Sequence, residues 1–307
     1  MGEHRSMNRS LITVDQFDRD GLSQLFSLAD KLKHGQLPLK LSSNLVSVNL
    51  FYEPSTRTSS SFYSAMVKLG GGVIPINDVS FSSVSKGETL EDTVRVMSSY
   101  SDVIVLRHPQ VGSSRRAASV AGTPIINAGD GVGEHPTQAL LDLYTISRHH
   151  DLNQRLRVAL VGDLLHGRTV HSLLKLLRLY DVELHLVGPA ELAMPAELVR
   201  EGDHVHLSID ECISNMDVIY VTRVQKERFT EPHLVSTDPY RITLDVMDKA
   251  RPDLTLMHPL PRVDEIDPAV DRDPRAVYFE QCENGMWIRQ AVFVSLFGGG
   301  TVPWHPL

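Results

Sequence analysis

The chain has 307 residues, of which 42% are hydrophobic and 22% are charged. This composition excludes a disordered chain, and the length predicts roughly two domains with a sizeable buried core. There are 38 aspartates and glutamates against 30 lysines and arginines, which gives a formal net charge of −8. A net-acidic chain is a poor candidate for general nucleic-acid binding, so no nucleic-acid partner is expected.

The cysteine count and the hydropathy pattern limit the cellular setting. The sequence contains two cysteines, Cys212 and Cys282, which lie far apart and so form neither a disulfide framework nor a CxxC metal pair. This favours a reducing cytoplasm. No apolar run reaches the ~18 residues that a membrane span needs, and no hydrophobic signal core follows Met1–Met7. The sequence therefore predicts a cytoplasmic protein without a membrane partner.

Short apolar runs alternate with amphipathic stretches along the first half of the chain. The apolar runs predict buried strands, and the stretches between them predict helices. The predicted strands are Leu45–Phe51, Val73–Ile76, Val103–Leu106 and Pro124–Asn127, and the predicted helices are Ser55–Leu69, Thr89–Tyr100 and Ser113–Ala121. This alternation is typical of βαβ units on a parallel sheet.

A second series of the same kind begins at Arg157–Gly162, and its clearest helix is Thr169–Leu179. Its further predicted strands are Val182–Val187, His204–Leu207, Val218–Thr222 and Leu254–His258. Two series predict an α/β protein of two domains, each a mostly parallel sheet flanked by helices. The domains are expected over residues 1–134 and 151–284, joined by a connecting helix over 135–150. A last helix, Gly285–Phe297, could belong to either domain.

The run Ser55–Thr58 directly follows the first predicted strand and opens the next helix. Ser55 can cap that helix, and the backbone N–H groups, the hydroxyls and the Arg57 guanidinium would face one point. A helix N-terminus with an arginine fork suits an anion such as phosphate. An ordinary capped helix with a surface arginine is the alternative, but the position at the carboxyl end of a strand favours a binding site.

Three arginines follow the carboxyl ends of predicted strands: Arg107, Arg168 and Arg223. Open α/β sheets bind ligands at this edge, and three cationic side chains there suit several phosphate or carboxylate charges. Arg168 follows Gly162–Gly167, which lacks the GxGxxG pattern, so a nucleotide cofactor is not expected.

Three further segments carry candidate groups. His135 lies between the glycine-rich turn Gly129–Gly133 and a predicted helix, where it could donate to a carbonyl oxygen. The serine-rich segment Phe81–Glu88 predicts a loop with Lys86 near its tip, and a solvated lysine is the simplest interpretation of this segment alone. The prolines around Leu260 remove donors and leave carbonyl oxygens able to accept.

Taken together, these segments resemble the aspartate carbamoyltransferase family, specifically its catalytic chain. Seven motifs occur in family order over residues ~50–290, a combination far more specific than any one of them. The motifs are Ser55–Thr58, Ser85–Thr89, Arg107–Pro109, His135–Gln138, Gly167–Thr169, Arg223–Arg228 and His258–Arg262.

The resemblance implies a reaction and a division of labour between the domains. The first domain would bind carbamoyl phosphate and the second L-aspartate, and a C-terminal helix at about 285–307 would pack back on the first domain. The products would be N-carbamoyl-L-aspartate and phosphate, in de novo pyrimidine biosynthesis. The resemblance implies no cofactor and no metal.

The resemblance also implies a role for each motif residue. Those that would hold the phosphate are Ser55, Thr56, Arg57, Thr58 and Arg107. Those that would polarise the carbonyl oxygen are Thr58, Arg107 and His135, and those that would orient the carbamoyl nitrogen are Gln138 and the carbonyls of Leu260 and Pro261. Those that would bind the aspartate carboxylates are Arg168, Arg223 and Gln225, with Lys86.

Members of the family are built on a catalytic trimer, in which each active site borrows a loop serine and a loop lysine from the neighbouring chain. In this chain the resemblance implies that these would be Ser82 and Lys86. Whether regulatory chains or a dihydroorotase-like partner bind is left open by the sequence. One alternative is an ornithine-type carbamoyltransferase, which carries Cys-Leu-Pro where His258–Pro261 stands. Arg223, Gln225 and Lys86 instead favour a dicarboxylate. The other alternative is an inactive homologue acting as a regulatory or scaffold module, which would be expected to have lost part of the cationic set that this chain retains.

Overall fold

The computed structural model describes residues 9–37, 41, 44–77, 87–223, 240–299 and 301–307. The chain divides into two compact units. Unit 1 is Met1–Leu141 with Asn284–Leu307, and unit 2 is Asp142–Glu283. A search of the described residues finds no helix with the length and apolar content needed to cross a bilayer.

Unit 1 is built on a parallel four-stranded sheet in the order β2-β1-β3-β4. The strands are β1 (Val46–Phe51), β2 (Gly72–Ile76), β3 (Val103–His108) and β4 (Ile125–Asp130). The helices are α1 (Arg19–Lys33), α2 (Thr56–Lys68), α3 (Leu90–Ser98), α4 (Ser113–Val120) and the first part of α5 (Pro136–His149). Buried on both faces, the central strands read as near-continuous apolar runs, which is why the sequence pattern revealed them.

Helix α1 was missed by the sequence prediction, although its pattern is regular. Asp18 caps it by accepting a 2.8 Å hydrogen bond from the Gly21 N–H. Its buried side chains recur at helical spacing: Leu22, Leu25, Phe26, Ala29 and Leu32. The aspartate cap and this spacing are the signals that identify the helix.

The last helix, α8 (Tyr278–Phe297), begins seven residues before the predicted start at Gly285. The predicted start was wrong because glycine is unfavourable inside a helix, so the sequence pattern does not show that the helix continues through it. Here Gly285 lies inside the helix, and a Cβ at this position would be 2.9 Å from Leu141 Cδ2, so glycine permits close packing. Phe293 packs edge-on against Phe62 of α2, with ring centroids 5.9 Å apart. The predicted packing of the C-terminal helix on the first domain is therefore confirmed.

Unit 2 is built on a parallel five-stranded sheet in the order β7-β6-β5-β8-β9. The strands are β5 (Leu156–Val161), β6 (Val182–Val187), β7 (His204–His206), β8 (Val218–Val221) and β9 (Thr255–Met257). Two helices, α6 (Arg168–Leu177) and α7 (Leu244–Met247), lie wholly within this unit. The predicted fold class, two mostly parallel sheets each flanked by helices, is confirmed.

Two strands of unit 1 extend beyond their predicted ends. Strand β3 continues to His108 and β4 continues to Asp130, past the expected ends at Leu106 and Asn127. The apolar run in each case stops at polar residues, but the hydrogen-bonded strand continues through them. Just past β4, the Gly131 N–H donates to the His108 carbonyl at 2.8 Å. Arg107 is therefore part of β3 and does not follow it.

Candidate active site

The candidate residues of unit 1 lie at the carboxyl ends of three neighbouring strands. Ser55–Thr58 follow β1, Arg107 is the penultimate residue of β3, and His135 follows β4. Because parallel strands all end at one edge of the sheet, the fold brings these three segments to the edge where open α/β sheets bind ligands.

The N-terminus of α2 presents the Ser-Thr-Arg-Thr run. Ser55 occupies the N-cap position with an extended backbone, φ −155° and ψ 95°, but its side chain makes no capping hydrogen bond. The predicted side-chain cap is therefore wrong, and the hydroxyl leaves the first-turn N–H groups to another acceptor. Thr56 and Arg57 are exposed, whereas Thr58 is buried. This arrangement can hold an anion at the helix N-terminus.

Arg107 is held in place from two sides. Its Nη2 lies 3.3 Å from Glu53 Oε2, and its Nη1 donates to the Ala128 carbonyl at 3.4 Å. The side chain is 13% exposed. Register pairing of Phe51 with Arg107 places the guanidinium beside the segment that leads into α2. Glu53 was assigned no role from the sequence, because only the fold brings it next to Arg107.

His135 stands at the end of a tightly bonded turn. The Asp130 carboxylate accepts from the Glu134 N–H at 2.8 Å and from the Gly112 N–H at 3.0 Å. Gly131 has φ +56°, and a Cβ there would lie 2.4 Å from the Pro109 carbonyl oxygen, so glycine is required. His135 itself is 3% exposed.

Gln138 belongs to the same first turn of α5, since its N–H donates to the His135 carbonyl at 3.0 Å. The rigid turn therefore sets the positions of His135 and Gln138 together, at the carboxyl edge of the unit 1 sheet.

The candidate residues of unit 2 also follow neighbouring strands, β5, β8 and β9. Arg168 is the first residue of α6, and Arg223 is two residues beyond β8. Gly162, with φ +110°, lets the segment after β5 approach the segment after β8, because a Cβ would be 2.3 Å from the Thr222 carbonyl oxygen. Both arginines are partly buried and start from this carboxyl edge.

The segment that carries Leu260 and Pro261 is organised by a buried hydrogen bond between His258 and Glu265. His258 Nε2 lies 2.7 Å from Glu265 Oε1, and His258 Nδ1 accepts from the Leu260 N–H at 2.8 Å. The other carboxylate oxygen of Glu265 accepts from the N–H groups of Val263 and Asp264. One carboxylate therefore fixes both ends of the loop after β9. Leu260 has φ +51°, and the bond to Pro261 is cis.

A chain of buried hydrogen bonds links this loop to the rest of unit 2. The His258 N–H donates to Gln281 Oε1 at 2.9 Å, and Gln281 Nε2 donates to Asp142 at 2.6 Å. The Tyr220 hydroxyl donates to the second Asp142 oxygen at 2.8 Å. Burial, and then the neighbouring Asp142 charge, raises the pKa of Tyr220 well above its usual value, so the hydroxyl stays a donor. No local sequence signal reveals Gln281, because its partner Asp142 lies 139 positions away in the sequence.

We expect Glu265→Gln to destabilise the protein at neutral pH by about 1–3 kcal/mol, because it removes a buried charged hydrogen bond. Burial alone would raise the pKa of the Glu265 carboxyl, but the hydrogen bonds from His258 and from nearby backbone N–H groups outweigh it and hold that pKa below the ordinary value of 4.5. A lowered folded-state pKa gives stability that is present above 4.5 and is lost as pH falls through the folded-state value.

Denaturant unfolding at neutral pH and at steps below pH 4.5 measures this effect. The difference between the wild-type protein and Glu265→Gln should shrink as the pH falls, whereas the exposed Glu201→Gln should behave as the wild type throughout. A difference that stays constant across this range would show that Glu265 does not stabilise the fold through its charge.

Three predicted site residues, Ser82, Lys86 and Gln225, lie outside the described residues. Their roles stay predictions. The described candidates form two groups, one at the carboxyl edge of each sheet. The group in unit 1 is Ser55, Thr56, Arg57, Thr58, Arg107, His135 and Gln138, and the group in unit 2 is Arg168, Arg223, Leu260 and Pro261.

Curated relatives resemble the chain over nearly its whole length. It is 45% identical over 303 residues to an aspartate carbamoyltransferase catalytic subunit of Thermoplasma acidophilum, covering 95% of this chain and 99% of the relative. It is 46% identical over 306 residues to the multifunctional protein pyr1-3 of Dictyostelium discoideum, but it spans 14% of the length of that relative.

Solved structures and family models agree with these relatives. Aspartate transcarbamoylase from Trypanosoma cruzi in complex with N-(phosphonacetyl)-L-aspartic acid matches with a TM-score of 0.87 at 42% identity, covering 93% of this chain and 95% of that one. The catalytic subunit of M. Jannaschii aspartate transcarbamoylase also matches with a TM-score of 0.87 at 42% identity, covering 94% of this chain and 98% of that one. The carbamoyl-P binding domain model of aspartate/ornithine carbamoyltransferase matches residues 9–148, and the Asp/Orn binding domain model matches residues 154–296. The chain therefore belongs to the aspartate/ornithine carbamoyltransferase family.

Proposed function

We propose that the chain transfers the carbamoyl group of carbamoyl phosphate to the amino group of L-aspartate, giving N-carbamoyl-L-aspartate and phosphate in de novo pyrimidine biosynthesis. The observation that carries the proposal is the position of the motif cations Arg57, Arg107, Arg168 and Arg223, each at the carboxyl edge of its own sheet. Trypanosoma cruzi relatives have been solved in complex with carbamoyl phosphate, and with carbamoyl aspartate and phosphate, which supports the same substrates here.

The first domain, residues 1–134 with the C-terminal helix at about 285–307, is the proposed carbamoyl-phosphate domain. The N-terminus of α2 and the Arg57 guanidinium bind the phosphate, which leaves with the electron pair of the broken C–O bond. Thr58, Arg107 and His135 donate to the carbonyl oxygen, where negative charge develops in the tetrahedral transition state. Fixed donors aimed at that oxygen are a main source of rate acceleration, and the Glu53 and Ala128 contacts keep Arg107 fixed.

The second domain, residues 151–284, is the proposed aspartate domain. Arg168, Arg223 and Gln225 bind the two carboxylates, and the aspartate amine attacks in its neutral form to make the new N–C bond. Its proton passes to a base or to the departing phosphate. The carbonyls of Leu260 and Pro261, together with Gln138, orient the carbamoyl nitrogen. The hydrogen bond between His258 and Glu265 positions the loop that carries these carbonyls.

The working form is proposed to be a cytoplasmic homotrimer with shared active sites, in which Ser82 and Lys86 serve the neighbouring chain. Extra cations from a neighbour suit the reaction, because two anionic substrates must be held together against their mutual repulsion. In two multifunctional relatives, the segment that matches this chain makes up 14% of a longer chain. This supports the proposal that the chain can associate with partner enzymes.

An ornithine-type reaction is the second candidate, since the family model covers both amino acids. Two arginines at the edge of the unit 2 sheet oppose it, because they would repel the cationic side chain of ornithine. An inactive scaffold is disfavoured by the full set of motif cations.

We expect Arg223→Ala to raise the KM for aspartate about 10–150-fold, because it leaves one substrate carboxylate without its charged partner, worth about 1.5–3 kcal/mol. The KM for carbamoyl phosphate should stay near the wild-type value. Initial-rate kinetics with each substrate varied in turn measures both. Arg241→Ala is the matched control, because Arg241 lies in the same unit and pairs with Asp267 near the surface. An unchanged KM for aspartate would remove Arg223 from the aspartate site.

A further inference from the structure

An edge of the unit 2 sheet carries a group of metal-ligating side chains that the proposed reaction does not use. Alternation along a strand places Glu183 and His185 of β6 on one face, and His204 and His206 of β7 on one face. His185 is the register partner of His204, so both pairs share the same face of the sheet. Together with Glu211 and Cys212, which follow β7, these residues are called the edge cluster.

Three members of the edge cluster offer ligand atoms close enough for one metal ion. One ligand atom each from His185, His206 and Cys212 lie within 4.8 Å of one another. His185 Nδ1 is 2.9 Å from His206 Nε2. A tetrahedral zinc ion with Zn–N of ~2.0–2.1 Å and Zn–S of ~2.3 Å needs ligand atoms roughly 3.3–3.6 Å apart, so small side-chain shifts complete the geometry.

Two carboxylates stand behind the two histidines. His185 Nε2 lies 3.1 Å from Glu183 Oε1, and His206 Nδ1 lies 3.4 Å from Glu211 Oε2. Histidines that bind metals typically offer their other ring N–H to a carboxylate, which fixes the ring and raises its basicity. The same arrangement on both rings favours a metal between them over a simple histidine hydrogen bond.

A second set of side chains in the edge cluster is an alternative set of metal ligands. Glu183, His185 and His204 also bring ligand atoms within 4.8 Å of one another. That set would use Glu183 as a ligand and would contain no thiolate, and its His204 side chain is 52% exposed. The set with Cys212 contains the softer and better zinc ligand in a more buried setting, so it is favoured.

We propose that His185, His206 and Cys212 form a zinc site, with Glu183 and Glu211 orienting the two imidazoles. A water or another small ligand fills the fourth position. The ion would tie the edge strand β7 to β6 and to the turn Ile209–Glu211 that leads into Cys212. Its role is structural bracing of this edge of unit 2.

The protonation states of Cys212 and His185 determine how many protons zinc binding releases. Burial raises the pKa of the Cys212 thiol to about 12, so at neutral pH the sulfur carries its proton. Burial lowers the pKa of His185, which keeps that imidazole neutral and able to coordinate. When the Zn–S bond forms, the S–H bond breaks and its proton passes to solvent. Zinc binding should therefore release about one proton per ion.

The test uses the full chain after chelator treatment, with Zn²⁺ for calorimetry and Co²⁺ as the spectroscopic probe. We expect one ion per chain, a thiolate-to-cobalt charge-transfer band, and about one proton released when titrations in buffers of different ionisation enthalpy are compared. Zinc should also raise the Tm of the protein, and the rise should grow with the free zinc concentration relative to the Kd.

Variants separate the two candidate sets. Cys212→Ser should abolish the charge-transfer band and the proton release, whereas Cys282→Ser, at the exposed cysteine, and His204→Gln should leave both unchanged. Glu211→Gln should weaken binding about 10–100-fold without removing a ligand. His206→Gln tests the same site at a half-buried position if Cys212→Ser does not fold.

The proposal is overturned if the protein binds no stoichiometric metal. It is equally overturned if the cobalt spectrum lacks a thiolate band, or if binding survives Cys212→Ser and His206→Gln but is lost in His204→Gln, which would assign the ion to Glu183, His185 and His204.

Discussion

Replacing Arg57 with alanine should lower kcat/KM for carbamoyl transfer by at least about 10²–10³-fold, the usual loss when one fixed donor to a developing charge is removed. Arg57 is exposed in the first turn of α2, at the helix N-terminus where the phosphate is proposed to bind. The fold should not change, because an exposed side chain at a helix start contributes little to the core. Initial rates together with the thermal unfolding curve measure both expectations.

Arg95→Ala is the matched control for this experiment. Arg95 is also an exposed helical arginine of unit 1, and it pairs only weakly, with Asp92 one turn earlier at 3.1 Å. It should retain wild-type kinetics. Near-normal turnover of Arg57→Ala would place the phosphate site elsewhere in the protein.

Two inactive variants should regain activity when their subunits are mixed. Lys86→Ala lacks the lysine that the neighbouring chain is proposed to supply, and Arg57→Ala lacks the phosphate arginine of its own chain. If each site takes Arg57 from one chain and Lys86 from the next, random mixing in equal amounts restores about a quarter of the sites of a closed trimer. The recovered rate should therefore reach roughly a quarter of the wild-type rate per site.

The composition of the mixed trimers must be known for the result to count. Native mass spectrometry of the exchanged sample shows whether trimers with both variants have formed, and each variant carried alone through the same exchange gives the background rate. Mixed trimers without any recovered activity would mean that Lys86 does not serve a neighbouring active site, and the shared-site proposal would fail.

The sequence predicted the strands of the two sheets better than the ends of the helices. Buried parallel strands are apolar on both faces, so β1, β3, β5 and β6 stand out as apolar runs, and Val182–Val187 was predicted to the residue. Helix ends depend on single contacts. Gly285 was taken as a helix start, whereas it lies inside α8, where the absence of a side chain allows close packing against Leu141.

The candidate site was predictable where it lies next to the strand ends along the chain. Ser55–Thr58, Arg223 and His135 each begin within a few residues of the end of a strand, so the parallel topology alone assigns them to a sheet edge. The side chains that hold them were not predictable. Glu53 meets Arg107 across 54 positions of sequence, and Gln281 meets Asp142 across 139. Such contacts exist only after the chain has folded.

The substrate preference tests the central claim most directly. With the purified wild-type chain at saturating carbamoyl phosphate, initial rates of phosphate release and of carbamoylated product are measured side by side with L-aspartate and with L-ornithine. The account predicts N-carbamoyl-L-aspartate and phosphate in equal amounts, with a kcat/KM for aspartate far above that for ornithine, because Arg168 and Arg223 attract carboxylates and repel a cationic side chain. A clear preference for ornithine, or the absence of carbamoyl transfer to aspartate by the intact protein, would contradict it.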